Sequence, residues 1–489
     1  MAGDEHELLA RVPRKLFIAG DWVESTDGTV FRVDDPATSM PLLSIANATP
    51  FDGLRALDAA VAAAGAWSAT PPRQRADLLM RAFALLNERR DEFALLMTLE
   101  MGKPLAEAYG EVAYGGEFLR WFAEEAVRVS GRYGPNPEGT GTTVVSQRPV
   151  GPCFLITPWN FPLAMATRKI APALAAGCTV VIKPAELTPL TTLLFARLLE
   201  DAGLPKGVVN VVTTTRSPEV AGPIIADPRL RKLSFTGSTV VGRALLKQAA
   251  GGVLRTSMEL GGNAPFLVFE DADLDAAADG AMLAKFRNVG QACTAANRFL
   301  VHESVVDAFT DRVAARVQNL RLGRGTDPDA TLGPLIDDRA RERVHGLVSD
   351  ALDGGARLVS GGAPAEGPGH FFQPTVLTDV PPDARVFREE IFGPVIGITS
   401  FRTEQQAVAL ANSTEYGLAA YVYTRELGRT HRLVDTVDSG LMGVNTGLVS
   451  NASAPFGGVK QSGLGREGGL EGIREYLSTK YSLLAATAP

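Results

Sequence analysis

Three cysteines occur in the chain, and one of them stands where a thiol could act as a nucleophile. Cys153 and Cys178 lie inside the apolar runs CFLIT and CTVVIK and read as small buried hydrophobes. Cys293 sits in Arg287-Asn288-Val289-Gly290-Gln291-Ala292-Cys293-Thr294, a polar, glycine-containing segment that ends a helical stretch and suits a partly exposed thiolate. A thiolate there would be the strongest nucleophile that this chain offers near neutral pH. The cysteines are odd in number and lack the short spacings of metal sites or disulfide frameworks, so no metal is expected and a reducing compartment is.

Four further groups of polar residues follow apolar runs that read as strands. Pro158-Trp159-Asn160-Phe161-Pro162 follows residues 153–157, and Lys183-Pro184-Ala185-Glu186 ends the run 178–183. Gly237-Ser238 follows 232–236 and opens a helix whose first N–H groups suit a pyrophosphate. Glu259-Leu260-Gly261-Gly262 follows 253–258. Taken singly, each has a plain reading: Asn160 as turn chemistry, Lys183, Glu186 or Glu259 as solvated loop charges, Ser238 as an N-cap. In open parallel sheets, however, ligands bind beyond the carboxyl ends of strands, and four such ends together mark a site. Gly463-Leu464-Gly465-Arg466-Glu467-Gly468 matches G-x-G-x-x-G, but no apolar strand precedes it and too little chain follows for a βαβ unit. It reads as a glycine-rich loop.

The elements that must position these residues follow from periodicity. From Cys153 onward, short apolar runs alternate with helical segments: 153–157, 178–183, 208–212, 232–237 and 253–259. That rhythm predicts a doubly wound parallel sheet. Beyond Pro265 a second series begins, with PFLVF, RFLVH, ARLVSGG, VIGITSF and AAYVYT as candidate strands. Before Cys153 the pattern is mostly helical, with Leu78, Leu79, Phe83, Leu85 and Leu86 on one face of a stretch from Arg73 to Leu99. Gly131 to Gly141 breaks the pattern, and Thr142 to Val150 reads as an extended arm that pairs with the segment Glu475 to Leu484.

These readings give an α/β protein of two Rossmann-like parallel-sheet units and a small oligomerisation arm. Residues 1–128 and 150–260 would form the dinucleotide-binding unit, 261–455 the catalytic unit, and 129–149 with 456–489 the arm. With 489 residues and 45% apolar content, the chain can bury such cores. A net charge of −7 without long like-charge runs excludes a nucleic-acid footprint and a polybasic membrane patch. No apolar stretch long enough to cross a membrane is present, and a cytoplasmic enzyme with small-molecule partners is expected.

At these residues the sequence resembles the aldehyde dehydrogenase superfamily, from about Leu16 to Leu483. The motifs are TPWNFP (157–162), KPAE (183–186), FTGS (235–238), MELGGNAP (258–265), GQACTAANR (290–298), EEIFGPV (389–395) and PFGGVKQSG (455–463). The resemblance implies that Cys293 attacks an aldehyde, that the Asn160 amide and the Cys293 N–H hold the oxyanion, and that Glu259 activates the hydrolytic water. Lys183 and Glu390 would fix the cofactor's ribose hydroxyls, with Trp159, Gly237, Ser238, Leu260 and Phe392 along its path. Glu186 would favour NAD over NADP, since a 2′-phosphate would meet a like charge, although NADP stays possible.

Within that superfamily the likeness is greatest to succinate-semialdehyde dehydrogenases, through EMGKPLAEA (100–108), WFAEEA (121–126), KFRNVGQAC (285–293) and GLGREG (463–468). That group implies a substrate carboxylate held by Arg168, Arg287 and Ser450. Other aldehydes, such as glutarate semialdehyde or betaine aldehyde, and a non-catalytic dinucleotide-binding relative are the rival readings. A homodimer or homotetramer is expected. Where many relatives carry a second cysteine two residues after the nucleophile, this chain has Ala295, so a disulfide lock is not expected.

Overall fold

Short apolar runs build two mainly parallel sheets, each buried on both faces, which is why their strands lack polar alternation. The computed structural model describes residues 2–485. In the first sheet, Cys153–Ile156, Val180–Lys183, Val209–Val211, Lys232–Thr236 and Arg255–Glu259 run parallel. Cys153–Ile156 lies at the centre, between Val180–Lys183 and Lys232–Thr236, so the winding reverses there and a crevice opens at the strands' carboxyl ends. Register puts Ile156 beside Lys183 and Thr236 beside Glu259. Four polar strand ends are thereby brought to one rim of the sheet.

The second sheet runs parallel through Thr375–Thr378, Val395–Phe401, Ala296–His302, Ala264–Val268, Ala419–Tyr423 and Leu441–Val444, with Arg357–Ser360 antiparallel at one edge. Only Leu260 to Asn263 separate it from the first sheet. Leu477–Ala485 pairs antiparallel with Gly141–Pro149, from Leu477 opposite Pro149 to Ala485 opposite Gly141, as expected for the arm. Residues 486–489, which fall in the expected arm, and Met1 lie outside the described residues.

Several expectations are corrected. Residues 16 to 46, expected to belong to a mostly helical third, form the strands Leu16–Ile18, Asp21–Val23, Val30–Asp35 and Met40–Ala46. Leu16–Ile18 and Asp21–Val23 have only three residues each and Val30–Asp35 carries three charges, so the apolar signal is weak. The helical stretch from Arg73 breaks at Arg89 into Pro72–Glu88 and Arg90–Met101, and Phe83 and Leu85 are only half-buried. Thr375–Thr378 and Leu441–Val444 were not among the candidate strands. The glycine-rich segment contributes Gly463–Leu464, an antiparallel edge strand against Arg255–Glu259, and no βαβ unit. Among the described residues no helix is long and apolar enough to cross a membrane.

Candidate active site

Cys293 is half-buried, on a loop shaped by an unusual backbone. After the helix Leu274–Phe286, Asn288 (φ 55°) and Val289 (φ 60°) both adopt the left-handed region. Gly290 (φ 72°) continues it. Asparagine and glycine enter this region at little cost, whereas β-branched Val289 is strained there and is held by complete burial. Two glycines let the loop close against its neighbours. A Cβ on Gly290 would lie 2.3 Å from the Gly393 carbonyl oxygen, and one on Gly262 would lie 2.3 Å from that of Cys293. The Tyr421 hydroxyl donates to the Thr294 carbonyl at 2.8 Å. The nucleophile loop is thus pinned between the carboxyl ends of the first sheet's strands and the amino ends of the second sheet's. Burial pushes the Cys293 thiol up to about 12, with the positive field of Arg168 acting against it.

Asn160 reaches the same loop from the central strand of the first sheet. Pro162 opens the following helix, Pro162–Ala176, at its first turn. The Asn160 side chain is buried, and its Nδ2 donates to the Gln291 carbonyl at 3.0 Å, leaving its second N–H available. The Glu259 side chain is buried at the end of its strand, and neither carboxylate oxygen has a hydrogen-bond partner. Burial, then the like charge of Glu467, raises Glu259 well above the usual carboxylate range, against Arg168, Lys169 and Arg466. A buried, unpartnered carboxyl with a raised pKa is suited to general-base work.

A cleft of about 740 Å³ leads to Cys293. Trp159, Asn160, Glu186, Gly237, Ser238 and Leu260 line one side, Glu390 and Phe392 the other. Ser238 caps the helix Thr239–Gly251 at this rim, its hydroxyl accepting from the Val241 N–H. The Trp159 and Phe392 rings meet edge to face at 5.4 Å. Glu390 Oε1 accepts from the Gly262 N–H at 3.0 Å, and burial lifts this carboxyl to about 7. An open helix N-terminus, a flat apolar wall and carboxylates at both ends fit a dinucleotide. Lys183 does not line the cleft. It is buried behind Glu186, 3.8 Å from its carboxylate, with Nζ donating to the Pro184 carbonyl. Arg343, which the sequence did not single out, lines the cleft and donates to the Glu390 and Ile391 carbonyls at 2.5 and 3.2 Å. On an amphipathic helix, Asp338–Asp353, nothing in the sequence distinguishes it from other surface arginines.

A second cleft, of about 610 Å³, is bounded by Phe161, the residue after Asn160, and by Arg287 and Ser450. Arg287 is half-buried, packs over the Phe161 ring at 5.3 Å and has no carboxylate within ion-pair distance among the described residues. Arg168 does not join it. Its buried guanidinium meets Glu467, Nε to Oε2 2.5 Å, in an ionic contact without hydrogen-bond alignment, and lies over the Phe456 ring. The sequence missed Glu467 because it sits inside the glycine-rich decoy. Its partners Arg168 and Lys169 lie far off in sequence, Lys169 by 298 residues.

The family model for the aldehyde dehydrogenase family matches residues 22–482, and the chain belongs to that family. It is similar to the succinate-semialdehyde dehydrogenase of Paenarthrobacter nicotinovorans, 61% identical over 440 residues, spanning 90% of this chain and 98% of the relative. It is also similar to the NADP(+) succinate-semialdehyde dehydrogenase of Escherichia coli, 47% identical over 468 residues, 96% of this chain and 97% of that one. The crystal structure of succinate-semialdehyde dehydrogenase from Burkholderia pseudomallei superposes with a TM-score of 0.96 at 50% identity, covering 97% of this chain and 98% of that one.

Proposed function

We propose that this aldehyde dehydrogenase oxidises succinic semialdehyde to succinate through a thioester on Cys293, with NAD preferred over NADP. In this reading Cys293 Sγ attacks the aldehyde carbon, and the free Nδ2 hydrogen of Asn160, with the Cys293 N–H, stabilises the oxyanion, a contact worth about 3 to 4 kcal/mol. A dinucleotide in the 740 Å³ cleft would accept the hydride released as the oxyanion collapses to the thioester. Trp159, Gly237, Ser238, Leu260, Phe392 and the carboxylates of Glu186 and Glu390 orient it, with Lys183 supporting Glu186 from behind. Glu259, once ionised, takes a proton from water, and the hydroxide cleaves the thioester.

The observation that carries the substrate assignment is Arg287, a cation without an ion-pair partner among the described residues, beside Ser450 in the second cleft. Its planar fork suits a carboxylate at the far end of a short aldehyde. The similarity to two succinate-semialdehyde dehydrogenases supports the same reading. Residues 1–128 and 150–260 would act as the dinucleotide-binding unit and 261–455 as the catalytic unit. The arm, whose edge strand Leu477–Ala485 exposes Tyr481, Leu483 and Leu484, would join subunits of a cytoplasmic homo-oligomer.

Steady-state rates with succinic semialdehyde, glutarate semialdehyde, betaine aldehyde and uncharged butanal, each with NAD and with NADP, test this. Succinic semialdehyde with NAD should give the highest kcat/KM. A higher value for betaine aldehyde or butanal would contradict the substrate assignment.

A further inference from the structure

The loop of Cys293 and the strap of Asn160 come from different sheets, and two buried amide side chains, Asn160 and Asn288, fasten them together. Asn288 Nδ2 donates at 3.0 Å to the Asn160 carbonyl and at 3.0 Å to the Gln291 carbonyl. The Gln291 carbonyl is also the one that accepts from Asn160 Nδ2. Both amide groups therefore converge on a single oxygen two residues before the nucleophile. The Asn288 backbone is fixed independently, its N–H donating to Glu107 Oε2 at 2.8 Å and its carbonyl accepting from Gln291. Its side chain is wholly buried, and its Oδ1 has no partner. A buried amide with an unpaired oxygen is costly, so its placement answers to its two N–H donors. Lys103 Nζ also donates to the Asn160 carbonyl, so Asn288 is a second link between strap and loop, beside the bond from Asn160 itself, and not the strap's only anchor.

Resting on the thioester reading above, we propose that Asn288 is a positioning residue that holds the Asn160 oxyanion donor in register with Cys293. Without it, the Asn160 amide keeps its own bond to Gln291, but the shared oxygen loses one of its two amide donors and the Asn160 carbonyl loses its tie to the loop. Displacements of this kind cost about 10- to 100-fold in rate when they misalign a reacting pair.

Asn288→Gly is the informative variant, because glycine keeps the left-handed backbone without the amide. Two reagents separate the effects without any cofactor. Acylation of Cys293 by p-nitrophenyl acetate forms an S–C bond, breaks the ester C–O bond and releases p-nitrophenolate through an oxyanion. Alkylation of the same thiol by iodoacetamide displaces iodide with no oxyanion. Asn288→Gly should slow acylation about 10- to 100-fold while alkylation stays within about twofold. In an Asn160→Ala background the same change should add little. Acylation left unchanged would overturn the proposal, as would equal slowing with both reagents or full additivity with Asn160→Ala. Alkylation of Cys153 and Cys178 as well would mark Asn288 as structural only and overturn it too. A parent protein that p-nitrophenyl acetate does not acylate at Cys293 would instead refute the thioester reading on which the proposal rests.

Discussion

Arg168 and Glu467 close a buried ion pair, Nε to Oε2 2.5 Å, and the charges of both act on the unpartnered carboxyl of Glu259. The guanidinium is thus committed to a protein carboxylate, and its field favours both the Cys293 thiolate and the ionised Glu259. Arg168→Ala should therefore lower turnover of carboxylate-bearing and uncharged aldehydes alike. Breaking a buried pair from one side typically costs about 3 to 5 kcal/mol of stability, which denaturant unfolding would read. A loss confined to succinic semialdehyde would instead put Arg168 on the substrate.

Arg287 should behave differently. Half-buried and without an ion-pair partner among the described residues, it can be replaced by Ala with little change in stability. In kcat/KM the variant should lose about 2 kcal/mol on succinic semialdehyde, the low end for a truncated charge pair. Butanal should be nearly unaffected, and equal losses on both aldehydes would contradict the carboxylate contact.

The raised pKa of Glu259 makes two predictions of opposite sign. In the unfolded chain Glu259 ionises near pH 4.3, as about usual for glutamate, whereas the folded protein keeps the proton to higher pH. The folded state binds more protons in that window, so Glu259 costs stability as pH rises through it. Glu259→Gln should therefore gain stability relative to the parent as pH increases, measured by urea unfolding across pH. Deacylation, which needs the ionised form, should accelerate over the same window in the parent and be slow at every pH in the variant. A stability difference independent of pH would show that Glu259 ionises normally.

Cofactor choice turns on Glu186, which lines the cleft 3.8 Å from Lys183. That lysine offsets part of its charge, so discrimination against a 2′-phosphate should be modest. Glu186→Ser should shift the ratio of kcat/KM toward NADP by about tenfold, the equivalent of about 1.4 kcal/mol. An unchanged ratio would mean that Glu186 does not face the adenosine ribose.

Which parts of the site could be read from the sequence follows a physical division. Asn160 and Glu259 stood out because each is a polar residue at or just beyond the end of an apolar run, and parallel sheets gather such ends on one rim, whereas Cys293 stood out because its neighbours are polar while Cys153 and Cys178 lie inside apolar runs. The pairing of Gly141–Pro149 with Leu477–Ala485 was legible because each is a long extended run outside the two sheet series. The Arg168–Glu467 pair was not, since a long-range ion pair leaves no local pattern and Glu467 lay in a segment read as a glycine loop. Lys183 was placed in the cleft by its position at a strand end, but strand alternation says nothing of which way a terminal side chain turns. The left-handed Asn288 and Val289 were equally hidden, because only packing holds a β-branched residue there. The short strands from Leu16 to Ala46 pair as two local hairpins, Leu16–Ile18 with Asp21–Val23 and Val30–Asp35 with Met40–Ala46, and are docked on the first sheet through Phe17 opposite Val211.

The central claim is a thioester on Cys293, and the most direct measurement is mass spectrometry of the Glu259→Gln protein quenched during turnover of succinic semialdehyde with NAD. With water activation removed, the acyl-enzyme should accumulate, and peptide mapping should find a succinyl group on the peptide holding Cys293 and on neither Cys153 nor Cys178. A protein that stays unmodified while it produces reduced cofactor, or an adduct at another residue, would contradict the mechanism.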